Sequence, residues 1–546
     1  MYHQQDHSSN TSHFCEEQQT NSGLSHCTGK ERIRTLRARL DAALIRAVYH
    51  QDVQTASEAL KQGADPNAEA EEGMNAIHFA ALYGNLSLLK LLIDYNVDPN
   101  RLCRGSGLSP LHCTALMGHV SSARLLLEKG KADPDSISSL SGRTPLQIVA
   151  SIVRPGSVEI ASTLIQFGAN VHVTEDDDLT LLHICGNDSD MVQLLAEAGL
   201  DPSSYSKREI TPLHRACRNG HLRKVKGLVR AGAEVNNAGH VLKTPLHCAC
   251  DGGHLDIVRF LVKEAHADVN ARDRNGKLPI HQACKMKQTH VAEFFIDECG
   301  FCPSVQDTQG NTCLHWACRK VPDHRRAEAV LEIVEELLER VPSLLNVRND
   351  EQQSVLHIAA TWNVDLCRLL IHNYGANVTK KDLHGQTPLV FASRQGSTET
   401  VSYLADIATK HNFSLDSGDH HGWTPLHWAC FRYNERMVRS LVDCGANPNV
   451  TTSCGRSPLH LISRFSIPAG FRHRDNFLDG VFDQTIVFKS RPTSAENHIV
   501  EILLKYGADS MATDKRGDLT FFMAASTGSL NDTFLMVRAA TGNGLF

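Results

Sequence analysis

Residues 211–232 read TPLHRACRNGHLRKVKGLVRAG, and this stretch decides the fold. Thr211 is a favourable helix N-cap and Pro212 suits the first helical position, so a short helix is predicted to begin here. Residues 219–221 turn the chain. A second helix follows, with apolar residues at helical spacing, and it is predicted to end at Gly232, a common C-terminal residue of helices. The stretch therefore predicts a pair of short helices joined by a tight turn.

The phrase Thr-Pro-Leu-His recurs with variations along most of the chain. Its fourth position is occupied by His78, His112, Gln147, His183, His214, His247, His281, His315, His357, Val390, His427 and His460. Successive fourth positions lie between 31 and 42 residues apart, and most intervals are about 33. A period of this length indicates a repeat array, because one helix pair cannot bury its apolar face without stacking on a neighbour.

In these phrases, in Gly-His-Leu at residues 253–255 and in Gly-Ala-Asn-Pro-Asn at residues 445–449, the sequence resembles the ankyrin-repeat family. The resemblance covers residues from about 40 to about 540. It implies an all-α solenoid of about fourteen stacked helix-turn-helix units with projecting β-turn fingers. We therefore expect a disordered polar N-terminal tail over residues 1–38 and the repeat solenoid over residues 39–546.

Two intervals are longer than the period and predict insertions. Between His315 and His357 the extra residues separate the paired helices and lengthen the second one, over residues 327–340. A larger insertion falls at about 466–494 and is rich in aromatic and basic residues. We interpret it as a second contact element for a partner, with folding back on the solenoid as the alternative. Its predicted contact residues are Phe471, Arg472, Arg474 and Phe477.

Composition narrows the classes of partner and compartment. The 546 residues include 55 Lys and Arg against 61 Asp and Glu, a net charge of −6. This balance argues against bulk attraction to nucleic acid or to an anionic membrane, and no apolar stretch is long enough to predict a membrane span. The N-terminus lacks the basic and apolar parts of a signal peptide. The 17 cysteines are therefore expected to be reduced, in a cytoplasmic or nuclear protein.

Histidine and cysteine are abundant, but their positions favour structural roles. Ten of the 30 histidines fill the fourth position, where the resemblance implies hydrogen bonds between adjacent units. The sharpest alternative is Cys299 and Cys302, followed by Cys313, His315 and Cys318, because close cysteine pairs can bind zinc or exchange disulfides. In repeat register these side chains do not obviously converge. No catalytic motif is present, and we expect neither an enzyme nor a cofactor or metal.

All four tryptophans lie within four consecutive repeats. The resemblance implies that their positions line the concave face that holds targets; the alternative is that they pack between units. Large aromatic residues and arginine dominate binding hot spots. The predicted partner-binding residues are Trp316, Trp362, Phe391, Trp423, Trp428, Phe431, Arg432, Arg319 and Arg394.

These patterns favour a non-enzymatic scaffold or adaptor that binds one or more proteins on its concave ankyrin surface. A finer hypothesis is the substrate-recognition subunit of a cullin-type ubiquitin ligase, with ligase components as further partners. Residues 536–546 contain no ligase-recruiting box that we recognise. From a different class, a metal-thiol or redox protein using the Cys299 and Cys302 region stays open.

Overall fold

The fold is described by a computed structural model for residues 29–70, 73–320, 327–464 and 493–517. Within these ranges the secondary structure is helical and no strand forms; isolated β-bridges join Glu69 to Asn75 and Glu175 to Leu179. The predicted all-α ankyrin-repeat solenoid is confirmed. The helices form two compact units.

The first unit comprises the residues up to Arg208 together with Lys226–Ala233. Its helices are α1 (Gly29–Tyr49), α2 (Val53–Lys61), α3 (Ala76–Tyr83), α4 (Leu86–Asp94), α5 (Pro110–Met117), α6 (Val120–Glu128), α7 (Pro145–Ser151), α8 (Ser157–Gln166), α9 (Leu181–Ile184) and α10 (Ser189–Glu197). The first helices of successive repeats, α1 to α9 in odd numbers, pack side by side, and so do the second helices, α2 to α10 in even numbers.

The second unit comprises Glu209–Val225 and the residues from Glu234 onward. Its helices are α11 (Pro212–Asn219), α12 (Leu222–Arg230, which has residues in both units), α13 (Pro245–Gly252), α14 (Leu255–Lys263), α15 (Pro279–Lys285), α16 (Thr289–Asp297), α17 (Cys313–Cys318), α18 (Ala327–Arg340), α19 (Val355–Ala359), α20 (Val364–Arg368), α21 (Pro388–Gln395), α22 (Thr398–Lys410), α23 (Pro425–Phe431), α24 (Glu435–Asp443), α25 (Pro458–Arg464) and α26 (Thr493–Lys505). The first helices, α11 to α25 in odd numbers, pack side by side.

Helix α11 begins and ends as the repeated phrase predicts. In α11 the backbone N–H of Thr211 donates to His214 Nδ1 (3.3 Å), and the backbone N–H of His214 donates to Thr211 Oγ1 (3.4 Å). This reciprocal capping box satisfies donors that the first turn of a helix leaves unpaired. Gly220 follows with φ of 77°, a left-handed conformation that glycine adopts without strain. The chain can therefore reverse at once into the next helix.

The fourth-position histidines tie each repeat to the next. While Nδ1 serves the capping box, Nε2 contacts a backbone carbonyl in the following repeat. The contacts are His78 to Leu108 (3.0 Å), His112 to Arg143 (3.0 Å), His214 to Lys243 (2.8 Å), His247 to Lys277 (3.0 Å), His281 to Val305 (2.8 Å), His315 to Gln353 (3.2 Å), His357 to Gln386 (3.0 Å) and His427 to Arg456 (3.0 Å). These contacts require a neutral imidazole protonated on Nε2. The resemblance implied that these histidines form hydrogen bonds between adjacent repeats. Such contacts are present within each of the two compact units.

The loops between repeats form the expected fingers. In one of them Asp273 Oδ1 accepts the backbone N–H groups of Asn275 (2.8 Å) and Lys277 (2.9 Å). The next finger is tied on by Thr308, whose Oγ1 donates to the carbonyl of Asn275 (2.7 Å). Adjacent fingers are therefore held in register by polar contacts as well as by the helices beneath them.

The predicted insertions and ends fall partly outside the described residues. The lengthened second helix is α18, with the predicted bounds, and residues 321–326 before it are not described. Lys287 Nζ donates to the carbonyls of Trp316 (2.9 Å) and Ala317 (2.5 Å), and so caps the shortened α17. Of the insertion at 466–494, only the start of α26 is described. The predicted last repeat falls beyond residue 517, outside the described ranges.

The predicted tail boundary differs from the structure. Residues 29–38, assigned to the polar tail, belong to α1. Their arginines and leucines are good helix formers, and polarity alone does not distinguish an exposed helix from a tail. Residues 1–28 are outside the described ranges.

The buried imidazoles predict that the fold loses stability in acid. Burial lowers the pKa of His427 to about 4, from an ordinary value of 6.5. Between these values the unfolded chain binds more protons than the folded chain, so stability falls as the pH drops through this window. Gln147 occupies the same fourth position, and its Oε1 accepts the backbone N–H of the N-cap residue Thr144 (2.9 Å). Glutamine can therefore replace the histidine in the capping box without a group that titrates.

His427→Gln should therefore lose about 2 kcal/mol less stability than the wild type between pH 7 and pH 4.5. Urea unfolding followed by circular dichroism at both pH values measures the difference. An equal loss in the two proteins would show that this imidazole is not held neutral by the fold.

Candidate functional site

Most of the predicted aromatic stripe is buried, which corrects the prediction that these residues face a partner. Trp316, Trp423 and Trp428 are 4%, 5% and 0% exposed, and Phe431 is 7% exposed. The alternative interpretation, that these side chains pack between repeats, describes these four residues.

Three aromatic rings in and just before α23 form a compact apolar cluster. Trp423 and Trp428 have ring centroids 4.7 Å apart, and Phe431 meets the two indoles edge-on at 5.6 and 5.9 Å. Val390 and Leu461 from the neighbouring first helices complete the cluster. Aromatic pairs in this geometry add to the stability that burial alone provides.

Trp316 and Trp428 occupy equivalent positions but differ in hydrogen bonding. Trp316 Nε1 donates to Oδ2 of Asp307, in the finger of the same repeat (3.0 Å). Asp419 is the equivalent finger residue for Trp428, yet it accepts from Gln386 (3.5 Å), and Trp428 Nε1 has no partner. Phe391 is a third aromatic residue at this position, and its side chain has no N–H. Asp382 is the equivalent finger residue, and its Oδ2 has no hydrogen-bond partner. Only Trp316 is anchored by its finger.

Two predicted aromatic residues retain exposed surface. Trp362 and Phe391 are half-buried. Trp362 Nε1 donates to the carbonyl of Cys318 in the preceding repeat (2.8 Å), which fixes the indole while leaving part of its ring accessible. Phe391 packs edge-on against His357, with centroids 6.0 Å apart. Phe391 lies in α21, and Trp362 lies just beyond the end of α19.

The predicted arginines lie over the buried indoles. Arg319 is exposed, and its Cζ lies 4.5 Å from the Trp316 ring centroid. Arg394, half-buried, has its Cζ 5.8 Å from the Trp428 ring centroid. Arg432 Nε donates to the carbonyl of Arg394 (2.5 Å). Cations above indole faces are attracted by the ring quadrupole, so the indoles hold these side chains in place.

Sequence reasoning missed two lysines of the same cluster. Lys277 Nζ lies 4.0 Å and Lys285 Nζ 5.8 Å from the Trp316 ring centroid. Lys277 comes from a finger and Lys285 from the end of α15. Both belong to the repeat before Trp316, so only the contact between repeats brings them to the ring. We call Lys285, Arg319, Trp362, Phe391, Arg394 and Arg432 the first-helix face.

The remaining predictions concern thiols and the insertion. Cys313 and Cys318 are buried, whereas Cys302 is exposed and its Sγ lies 2.8 Å from Ser304 Oγ. Burial raises the pKa of Cys318 to about 12, so this thiol is protonated at neutral pH. No group of three or more potential metal ligands occurs in the ranges that the structure describes. Phe471, Arg472, Arg474 and Phe477 lie outside those ranges.

The repeats match a known family. A family model for ankyrin repeats in three copies matches residues 44–138, 182–273, 265–331, 303–382, 326–414, 356–452 and 407–467, and a single-repeat model matches residues 141–176. The matches cover well over half of the chain. The chain therefore belongs to the ankyrin-repeat family.

The chain is similar to parts of several known proteins. Transient receptor potential cation channel subfamily A member 1 of Drosophila melanogaster is 28% identical over 221 residues, which are 38% of this chain and 18% of that protein. Human ankyrin repeat and SOCS box protein 16 is 28% identical over 194 residues, 33% of this chain and 42% of that protein. The chicken (Gallus gallus) nuclear factor NF-kappa-B p105 subunit is 39% identical over 108 residues, 20% and 11% respectively. The chain spans less than half the length of each relative.

Family membership gives the coarse function, a role in protein–protein interaction. Ankyrin-repeat proteins are in general non-enzymatic interaction modules. None of the helices described is long and apolar enough to cross a membrane.

The hydrogen-bond difference between the two buried indoles yields a matched pair of variants. Trp316→Phe removes the donor to Asp307, whereas Trp428→Phe removes an N–H that has no acceptor. Because the change in volume is the same, we expect Trp316→Phe to cost about 1 to 2 kcal/mol more stability than Trp428→Phe. Urea unfolding of both variants measures the difference. A larger loss for Trp428→Phe would contradict this assignment of hydrogen bonds.

Proposed function

We propose that the chain is a non-enzymatic adaptor that holds a partner protein against the first-helix face of its second unit. The proposal rests mainly on one observation. Trp362, Phe391 and four basic side chains stay accessible in or just beyond five first helices that pack side by side, whereas the neighbouring large apolar residues are buried. Accessible aromatic and arginine side chains in one row are typical of binding hot spots.

The buried tryptophans have an indirect part in this proposal. Trp316 lies beneath Arg319 and Lys285, and Trp428 lies beneath Arg394. A cation held on a ring has little rotamer freedom left to lose when a partner binds. The indoles thus act as positioning residues, and the cations with Trp362 and Phe391 make the contacts.

Recognition of a substrate for a ubiquitin ligase is a second candidate. The similarity to human ankyrin repeat and SOCS box protein 16 favours it. Under this hypothesis the first-helix face would hold the substrate. The ligase-recruiting element would lie in another part of the protein.

Proximity labelling in cells tests the adaptor hypothesis. Phe391→Ala should reduce labelling of the main partners about tenfold, since it removes exposed aromatic area from the proposed face. Phe413→Ala is the matched control, because Phe413 is also exposed (41%) in the second unit but follows a second helix, α22. Equal labelling with both variants would place the partner site elsewhere.

Co-purification tests the ligase candidate. Elongin and cullin proteins should be recovered with the full-length product and should remain after Phe391→Ala, because the proposed substrate face does not recruit them. Their absence from the wild-type complex would remove this candidate and leave the adaptor proposal intact.

A further inference from the structure

The first-helix face carries four positively charged side chains. Lys285, Arg319, Arg394 and Arg432 make no ion pair in the part of the chain that the structure describes. Other cations of the second unit do have carboxylate partners. Lys243 pairs with Asp251 (3.7 Å), and the buried Arg456 pairs with Asp514 (3.2 Å). Four cations without an ion pair thus lie along this one face.

Like charges are also held close together there. The Arg432 side chain donates to the Arg394 backbone carbonyl, and burial together with the Arg394 charge lowers the pKa of Arg432. Around Trp316, Lys285 and Arg319 share one ring. Such clusters cost free energy in the unbound protein, and an anionic ligand would relieve the repulsion.

The order of side chains along the face gives a pattern for the ligand. In successive repeats these side chains lie in or just beyond the first helix, in the order Lys285, Arg319, Trp362, Phe391 with Arg394, and Arg432. Packed helices lie about 8 to 10 Å apart, and an extended peptide rises about 3.3 Å per residue. About every third residue of an extended chain would therefore meet the next helix.

We propose that the occupant of the first-helix face is an extended acidic segment of a partner protein, with carboxylates about three residues apart and an apolar side chain at its middle. The end carboxylates pair with Lys285 and Arg319 on one side and with Arg394 and Arg432 on the other. The apolar residue packs on Trp362 and Phe391. The inference rests on the proposed adaptor function and adds the chemistry of the partner.

A peptide is favoured over a nucleic acid. Nucleic-acid affinity grows with the number of phosphates that Lys and Arg side chains neutralise, and the first-helix face has four cations. The two aromatic side chains at the middle of the row suit an apolar residue between charges. A single-stranded oligonucleotide is nevertheless the natural competitor in a test.

Fluorescence anisotropy with synthetic peptides tests the inference on the full chain. The probe is an extended peptide with Glu at every third position and Leu at its centre. A peptide of the same composition with contiguous Glu, a version with Lys for Glu and a single-stranded DNA of similar length are the comparison probes. We expect the spaced acidic peptide to bind about tenfold or more tightly than each of the others.

The double variant Arg319→Glu/Arg394→Glu should weaken this binding about tenfold or more. Lys410→Glu/Arg436→Glu makes the same change of charge at exposed positions of the second helices α22 and α24, and it should bind as the wild type does. Circular dichroism confirms that both variants are folded. Similar binding of the acidic and basic peptides, tighter binding of the DNA or an equal effect of the two variants would overturn the inference.

Failure of this inference can be distinguished from failure of the adaptor proposal. If the cellular partners are lost with Phe391→Ala but kept with Arg319→Glu/Arg394→Glu, the adaptor function stands and the acidic chemistry is wrong. If neither variant changes partner labelling, both proposals fail.

Discussion

The neutral imidazole at the fourth position is the contact on which the arrangement depends. Its Nδ1 closes the capping box of its own first helix, and its Nε2 donates to a carbonyl of the next repeat, as His214 does to Lys243 at 2.8 Å. One side chain thus fixes both the start of a helix and the position of its neighbour. Removal of either partner would leave a buried polar group unpaired, which costs more than the hydrogen bond contributes.

At Val390, one of the two fourth positions without a histidine, a different contact joins two repeats. It retains the Thr387 cap (3.4 Å) but has no imidazole to reach the next repeat. In its place Val390 packs into the aromatic cluster of Trp423 and Trp428. Two of the four tryptophans therefore pack where the histidine contact is missing, and apolar burial there stabilises the stack.

The sequence was sufficient to predict the repeat, the helix pairs and the bounds of the lengthened helix α18, because each depends on local signals such as caps, turns and period. The burial of Trp316 could not be predicted in this way. Its surroundings come from three places, Asp307 in the finger, Lys277 in the preceding repeat and Arg319 beyond the helix. The sequence predicted contact roles for the indoles and the cations alike, whereas Trp316 and Trp428 are buried and the cations over their rings keep exposed surface.

Acrylamide quenching of tryptophan fluorescence tests most directly whether Trp316, Trp423 and Trp428 are buried. The account predicts that Trp362 supplies most of the quenchable emission of the folded chain, so that Trp362→Phe leaves a signal that acrylamide hardly reduces. A folded Trp362→Phe protein whose remaining indoles are quenched as readily as those of the urea-unfolded chain would contradict it.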